Sequence, residues 1–331
     1  MSEGNSEIGP DTSCWVVSDG RAGMEMQCIG LAKALGVAPV IKRISLKRPW
    51  CWLPAGSVPS PLKRLDPAKD LLQPPWPQLA IASGKRSVDA AMALRRAARG
   101  NCFTVQIQDP RVDPKYFDLV ITPQHDRLEG ENVFSTLGGI NQITKENLTQ
   151  AAEAFADRYG DLPRPLLALV LGGNSKAYRM TEACMAALGK QLAALLRAKS
   201  AGLLITASRR TPPGCLEALL KELAGLPYDH WDGTGENPYL AYLALAEQIL
   251  VTCDSVNMVS EACFTGKPVH VFHLPGGEDT KFGRFHDALA ESGATRPFDG
   301  RLESWPCEAL DERSALADEI RRRLGDSGAA A

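Results

Sequence analysis

Short apolar runs alternate with longer stretches of helical spacing along almost the whole chain. The first run, residues 14–18, ends in Asp19, Gly20, Arg21, Ala22 and Gly23; a helical stretch then reaches Leu35 and stops at Gly36. Residues 37–44 read as a second strand and residues 79–82 as a third, after which Ser83, Gly84 and Lys85 open a helix reaching Arg99. Residues 102–108 and 119–122 give two further strands. Residues 49–77, rich in proline and tryptophan, read as irregular chain or short helical turns.

A second series begins at residues 166–171, a continuous apolar run of the kind buried on both faces of a parallel sheet. Gly172, Gly173, Asn174, Ser175 and Lys176 lead from it into a helix over residues 181–199. The strand over residues 202–207 ends in Ser208, Arg209, Arg210 and Thr211, and a helix starts near Pro213. Strands over residues 228–231, 248–252 and 268–272 complete the set. Such repeats imply parallel strands joined by right-handed crossovers. The expected fold class is α/β, with two Rossmann-like domains facing across a cleft. Their expected extents are residues 1–150 and 151–331, joined near residues 149–165. An amphipathic last helix, residues 311–324, is expected to pack back on the first domain. Ligands of open α/β sheets bind at the carboxyl ends of strands, which makes the cleft the expected site.

Composition narrows the function classes. At 331 residues, 44% hydrophobic and 23% charged, the chain has the make-up of a soluble protein of about two domains. A formal charge of −2 argues against a dedicated nucleic-acid binder. Nine cysteines include no CxxC pair, so a reducing, cytoplasmic setting is expected. Residues 1–12 are polar and slightly acidic, unlike a signal or transit peptide, and no apolar run approaches the ~20 residues of a membrane span. Five histidines show no paired-ligand spacing, so no metal is expected.

One asymmetry stands out. Between Glu25 and Asp66 there is no acidic residue, yet Lys33, Lys42, Arg43, Lys47, Arg48, Lys63 and Arg64 fall there, with Trp50, Trp52 and Leu53 among them. Basic residues beside exposed tryptophans suit the surface of an anionic bilayer, and peripheral contact at the inner face of a membrane is one expectation. Buried tryptophans beneath solvated lysines are the plainer one.

Three loops of the second series carry the candidate chemistry. Gly172 and Gly173 let the backbone approach a ligand, and a helix start favours phosphate, although the Walker spacing is absent; a glycine-rich turn with no ligand, and Lys176 in solvent, explain the loop equally. Ser208, Arg209 and Arg210 place two guanidinium groups where a diphosphate would fit; a solvated basic turn explains them equally. Residues 254–268 read as strand end, helix and turn, with Asp254, Ser255, Asn257 and Met258 at the helix start and Glu261 further along for ribose hydroxyls. In the first series, Asp19 is a candidate general base beside Gly20, Arg21 and Gly23, or else merely a helix cap. Lys281, Phe282 and Arg284, with Phe285 and His286, open a later helix and are candidates for holding sugar phosphate or acceptor. Gln106, Gln108, Asp109, Pro110 and His125 end other strands of the first series, and a lone His125 is more often structural.

Five segments together carry a family resemblance: WVVSDGRAGMEMQCIGLAKALG from Trp15, VLGGNSKAYRM from Val170, TASRRTP from Thr206, DSVNMVSEACFTGKPVHVF from Asp254 and KFGRFHDAL from Lys281. The chain resembles the mitochondrial-fission protein family first named in plants, whose bacterial members carry a glycosyltransferase assignment. The resemblance implies the GT-B fold, shared with nucleotide-sugar 2-epimerases, with the acceptor on the first domain and the donor on the second. The segment from Ser255 through Glu261 to Gly266 and Pro268 is similar to the donor motif of the lipid-II-forming N-acetylglucosaminyltransferase. By that likeness Glu261 binds ribose and the Gly172–Gly173 loop faces the pyrophosphate. Where that enzyme's first loop carries a histidine, this chain carries Asp19. The implied function is metal-independent transfer of sugar from a nucleoside-diphosphate sugar, with no separate cofactor, to an acceptor that is open and includes lipid-linked molecules. Nucleotide-sugar 2-epimerisation and a non-catalytic adaptor recruited to a membrane are the alternatives.

Overall fold

The strand–helix alternation becomes two parallel sheets in the computed structural model, which describes residues 8–277 and 280–328; residues 1–7, within the expected polar start, lie outside them. The chain divides into two compact units, residues 1–142 with 311–331, and residues 143–310. In the first, β1 (Cys14–Ser18), α1 (Ala22–Ala34), β2 (Pro39–Arg43), β3 (Leu79–Ser83), α2 (Val88–Ala98), β4 (Phe103–Ile107), β5 (Leu119–Pro123) and β6 (Val133–Thr136) form a six-stranded sheet in the order β2-β1-β3-β4-β5-β6. In the second, α3 (Lys145–Phe155), β7 (Leu166–Leu171), α4 (Glu182–Lys199), β8 (Gly202–Ala207), α5 (Pro213–Glu222) and β9 (Tyr228–His230) come first. They are followed by α6 (Tyr239–Leu245), β10 (Gln248–Thr252), α7 (Val256–Phe264), β11 (Val269–Phe272), α8 (Lys281–Glu291) and β12 (Thr295–Pro297). This sheet runs β12-β11-β10-β7-β8-β9, and every pairing in both sheets is parallel.

Parallel sheets need helices on both faces, and the sequence answers with runs that do not alternate. All six residues of β7 and all five of β3 and β4 are buried. The last helix, α9 (Glu312–Gly328), belongs to the first unit, where Leu316, Ala317 and Ile320 pack with Cys28, Leu31 and Leu35 of and just after α1. The Glu312 carboxylate accepts the backbone N–H groups of Leu137 at 2.6 Å and Gly138 at 2.9 Å, fixing where α9 begins. No helix of the described residues is long and apolar enough to cross a membrane.

Strand order decides where a ligand would sit. In the first sheet the order reverses between β1 and β3; in the second, between β7 and β10. The chain leaves such a pair in opposite directions, which opens a crevice at the carboxyl ends of its strands. Asp19 follows β1, Gly172 follows β7 and Asp254 follows β10.

One expected boundary and one expected burial change. The helix expected from Ser83 starts at Val88, because Gly84 has φ +79 and the Ser87 hydroxyl turns back to donate to the carbonyls of Ser83 and Gly84, both at 2.9 Å. The tryptophan segment is not simply a buried one: Trp50 is half-buried, while Trp52 is 72% exposed and Leu53 43% exposed.

Candidate functional site

The three loops singled out in the second unit converge on one carboxylate. The Asp254 side chain is fully buried and accepts at Oδ2 from Gly173 N–H at 2.8 Å and from the Arg210 guanidinium at 2.8 Å. Its Oδ1 accepts from the Thr252 hydroxyl at 2.7 Å, whose oxygen in turn accepts Gly172 N–H at 2.8 Å. The Gly172 carbonyl accepts from the Ser208 hydroxyl at 2.8 Å and from the Thr211 hydroxyl. Arg210 also donates to the Asn174 carbonyl at 3.3 Å, and Asn174 N–H returns to the Arg210 carbonyl at 3.4 Å. A buried carboxylate is tolerated only with such a set of donors, and here the set is complete enough to lock β7, β8 and β10 at their carboxyl ends.

The glycines therefore have a reason other than the one expected. A Cβ on Gly172 would lie 2.1 Å from Asp254 Oδ1, and one on Gly173 would lie 2.1 Å from the Arg210 carbonyl oxygen. Their missing side chains make room for the protein's own groups, and their amides are already donating inward. Nor does the loop run straight into a helix: α4 begins at Glu182, with the Thr181 hydroxyl capping it. Asn174 Oδ1 accepts Met180 N–H at 2.8 Å, and Ser175 Oγ accepts from Ala177 at 3.2 Å and Tyr178 at 3.1 Å, so both side chains shape the intervening turn. Arg210 is likewise engaged by Asp254, which leaves Arg209 and Lys176 as exposed cations at this rim with no ion pair among the described residues.

Helix α7 begins at Val256, two residues after Asp254. Ser255 is its N-cap, accepting Met258 N–H at 3.4 Å, and Asn257 is exposed. At 1.5 Å per residue, Glu261 lies about 9 Å along the helix from Ser255. Its Oε2 accepts from the Tyr239 hydroxyl at 2.5 Å. Burial pushes the Glu261 carboxyl above its ordinary value, against the opposing pull of the Tyr239 hydrogen bond. The Tyr239 phenol is itself pushed up, by burial and then by the Glu261 charge, so it stays a donor.

Lys281, Phe282 and Arg284 occupy the first turn of α8, capped by the Thr280 hydroxyl, which accepts from Phe282 at 3.2 Å and Gly283 at 3.4 Å. The loop after β7 is joined to the one after β11: Tyr178 bridges Gly276, and its ring stands edge-on to Phe282 at 6.0 Å. His286, expected among the groups holding sugar phosphate or acceptor, is turned to the protein backbone instead. His286 is buried with Nε2 2.8 Å from the Cys253 carbonyl, and burial pulls its pKa down to about 4, so it is a neutral donor supporting the residue before Asp254.

In the first unit, Asp19 accepts Arg21 N–H at 3.3 Å, faces the Arg21 guanidinium at 3.4 Å and reaches Arg86 at 4.0 Å. It does not cap α1, whose N-cap position is Arg21 without a side-chain bond. Gly20, at φ +83, makes the turn, and Gly20 N–H donates to Ser18 Oγ at 3.0 Å. Gly23 is exposed on the first turn of α1, where Glu25 takes a bidentate bond from Arg43 at 2.9 and 2.7 Å. Asp19 lines a cavity of about 700 Å³ within this unit, and the buried pairing of Glu25 lies outside that lining. Gln106 and His125 are buried, and Asp109 pairs with Arg111 at 3.1 Å. No cluster of three or more potential metal ligands occurs among the described residues.

Residues 22–324 match the family model described as Mitochondrial fission ELM1. The chain is 32% identical to Mitochondrial fission protein ELM1 of Arabidopsis thaliana over 396 aligned positions, covering 95% of this chain and 91% of that one. Among solved structures it is similar to UDP-GlcNAc 2-epimerase of Methanocaldococcus jannaschii, with a TM-score of 0.53 at 13% identity over 93% of this chain and 92% of that one. The same enzyme in complex with UDP-GlcNAc and UDP gives a TM-score of 0.50 at 13% identity, covering 94% and 98%. These likenesses, with the two parallel six-stranded sheets, show the α/β fold to be of the GT-B type shared by nucleotide-sugar enzymes. The chain belongs to the Mitochondrial fission ELM1 family.

Proposed function

We propose that this member of the ELM1 family is a metal-independent glycosyltransferase that takes its sugar from a nucleoside-diphosphate sugar. The observation that carries the reading is the clasp on Asp254 at the switch point of the second sheet, from which α7 runs to Glu261. The donor binds on the second unit. Arg209, Lys176 and Lys281, with the amides at the start of α7, take the diphosphate, and the free oxygen of Glu261 accepts ribose hydroxyls. The UDP complex of the similar M. jannaschii enzyme supports this choice of ligand class. Arg210 acts by positioning Asp254 and keeps part of its guanidinium for phosphate.

The acceptor binds on the first unit, with Asp19 as general base. The acceptor hydroxyl gives its proton to Asp19 while its oxygen forms a bond to the sugar's anomeric carbon. The bond from that carbon to the diphosphate oxygen breaks, and its electron pair leaves with the nucleoside diphosphate. Cations at the rim stabilise the developing charge.

A second reading, nucleotide-sugar 2-epimerisation, is favoured by the named activity of the similar M. jannaschii enzyme. The two separate cleanly. Purified protein incubated with a radiolabelled panel of nucleoside-diphosphate sugars and a bacterial envelope extract should release nucleoside diphosphate only when extract is present. Conversion of the free nucleotide sugar to its C2 epimer without extract would replace the transferase reading. Asp19→Ala should abolish release while leaving nucleotide-induced thermal stabilisation intact. An absence of stabilisation by any nucleoside diphosphate would leave the adaptor reading suggested by the family's name.

A further inference from the structure

The first unit's cavity of about 700 Å³ is assembled from three stretches far apart in sequence. Asp19 comes from the turn after β1; Lys47, Arg48, Trp52 and Leu53 come from the acid-free segment after β2; Lys85 and Arg86 come from the turn before α2. Three carboxylates and four cations face it. The carboxylates are occupied: Asp66 accepts Ala68 N–H at 3.0 Å, Asp89 accepts Val58 N–H at 3.2 Å, and Asp19 is held by Arg21. Two of the four cations are not. Lys47 and Lys85 make no ion pair or side-chain hydrogen bond among the described residues, and Arg86 reaches Asp19 only at 4.0 Å.

The mouth is also apolar. Trp52 is 72% exposed and Leu53 43% exposed, and the Arg48 guanidinium lies 5.9 Å from the Trp52 ring. A bare anion would satisfy the cations and leave this aromatic and aliphatic surface in water; a neutral apolar ligand would do the reverse. Only a ligand with both parts answers both walls.

We propose that this cavity binds one phosphate group carried on an apolar chain. Lys47, Lys85 and Arg86 take the phosphate, and Trp52 and Leu53 cover the first segment of the chain. On the transferase reading above this occupant is the acceptor, delivered beside Asp19; the binding itself stands without that reading.

Farnesyl phosphate, kept below its micelle concentration, is the probe, titrated calorimetrically into the full-length protein. Binding should saturate at one per chain. Inorganic phosphate and farnesol should each bind at least about tenfold more weakly, since each forfeits one wall worth roughly 1.4 kcal/mol or more. The double variant Lys47→Ala/Lys85→Ala should lose at least about tenfold in affinity, because each lysine supplies a charge-assisted bond. Both lysines are exposed, so its melting temperature should be unchanged, as should its stabilisation by UDP. No binding of farnesyl phosphate, equal binding of farnesol, uptake of many molecules per chain, or full affinity in the double variant would each overturn the assignment. Farnesyl phosphate binding in a protein that no nucleoside diphosphate stabilises would support the cavity and remove the donor reading alone.

Discussion

The two sheets follow the same strand logic, yet their carboxyl ends are finished in opposite ways. In the second unit the loops after β7, β8 and β10 are bonded to one another through Asp254, and two glycines are indispensable because protein atoms fill the space beside them. In the first unit the turn after β1 has a free left-handed Gly20 with nothing near it, and the neighbouring lysines are unpaired and exposed. One end is preorganised before any ligand arrives; the other leaves charge and apolar surface open. A rigid cluster of loops would suit a ligand with a constant part, such as the diphosphate proposed above. An open one suits a partner whose bulk varies.

That contrast can be broken most forcefully at the glycines. Gly173→Ala should destabilise the protein by about 3 kcal/mol or more in urea unfolding, because its Cβ meets backbone rather than a flexible side chain. Gly20→Ala in the first unit should lose only about 1 kcal/mol, from the strain of positive φ without a clash. Equal losses at the two positions would erase the distinction. Next comes Asp254→Ala, which strands the donors of Gly173, Thr252 and Arg210. Because Arg210 is 43% exposed and can turn to water, the expected loss is about 2–3 kcal/mol, with nucleotide binding lost as well.

A pH titration sharpens the comparison further. The Glu261 pKa is raised in the folded state, so its protonated form is favoured there. The stability this adds is present below the unfolded value and is lost as pH rises through the folded one. Ribose hydroxyls, however, need an acceptor, so nucleotide affinity should fall as pH drops through the same raised pKa. Unfolding curves and nucleotide titrations should therefore move in opposite directions at the acid end, and Glu261→Gln should flatten both. The smallest effect belongs to the rim: Arg209→Ala and Lys176→Ala should each weaken nucleotide binding about tenfold and change stability by less than about 0.5 kcal/mol.

The fold class was legible because continuous apolar runs such as Leu166–Leu171 leave no polar face for solvent. The strands β6 and β12 were not legible for the converse reason. They hold four and three residues, mostly not buried, so neither forms a run. The helix α3 carries a capping box between Thr144 and Asn147, with asparagine where the sequence signature has Glu or Gln. For the site, the sequence singled out the loops after β7, β8 and β10, which the fold brings together, but not their bonding. Asp254 meets Gly173 across 81 residues of chain, a pairing no local pattern encodes. Arg210 consequently read as a phosphate ligand or part of a solvated turn, and the glycines as room for a ligand or a plain turn, with no sign of the carboxylate that joins them. Tyr239 was invisible inside an apolar helix, where its hydroxyl looks like one more core aromatic until Glu261 is placed beside it. Resemblance supplied what periodicity could not: the suggestion that these loops serve a nucleotide sugar.

The central claim is that the second unit holds a nucleoside diphosphate with its ribose on Glu261. Isothermal titration of UDP, GDP and ADP into the wild-type chain and into Glu261→Ala tests it most directly. The account predicts that at least one nucleotide binds the wild type at one per chain and loses at least about tenfold in affinity in the variant, with circular dichroism unchanged. Binding of none of the three, or equal binding by a folded Glu261→Ala protein, would contradict it.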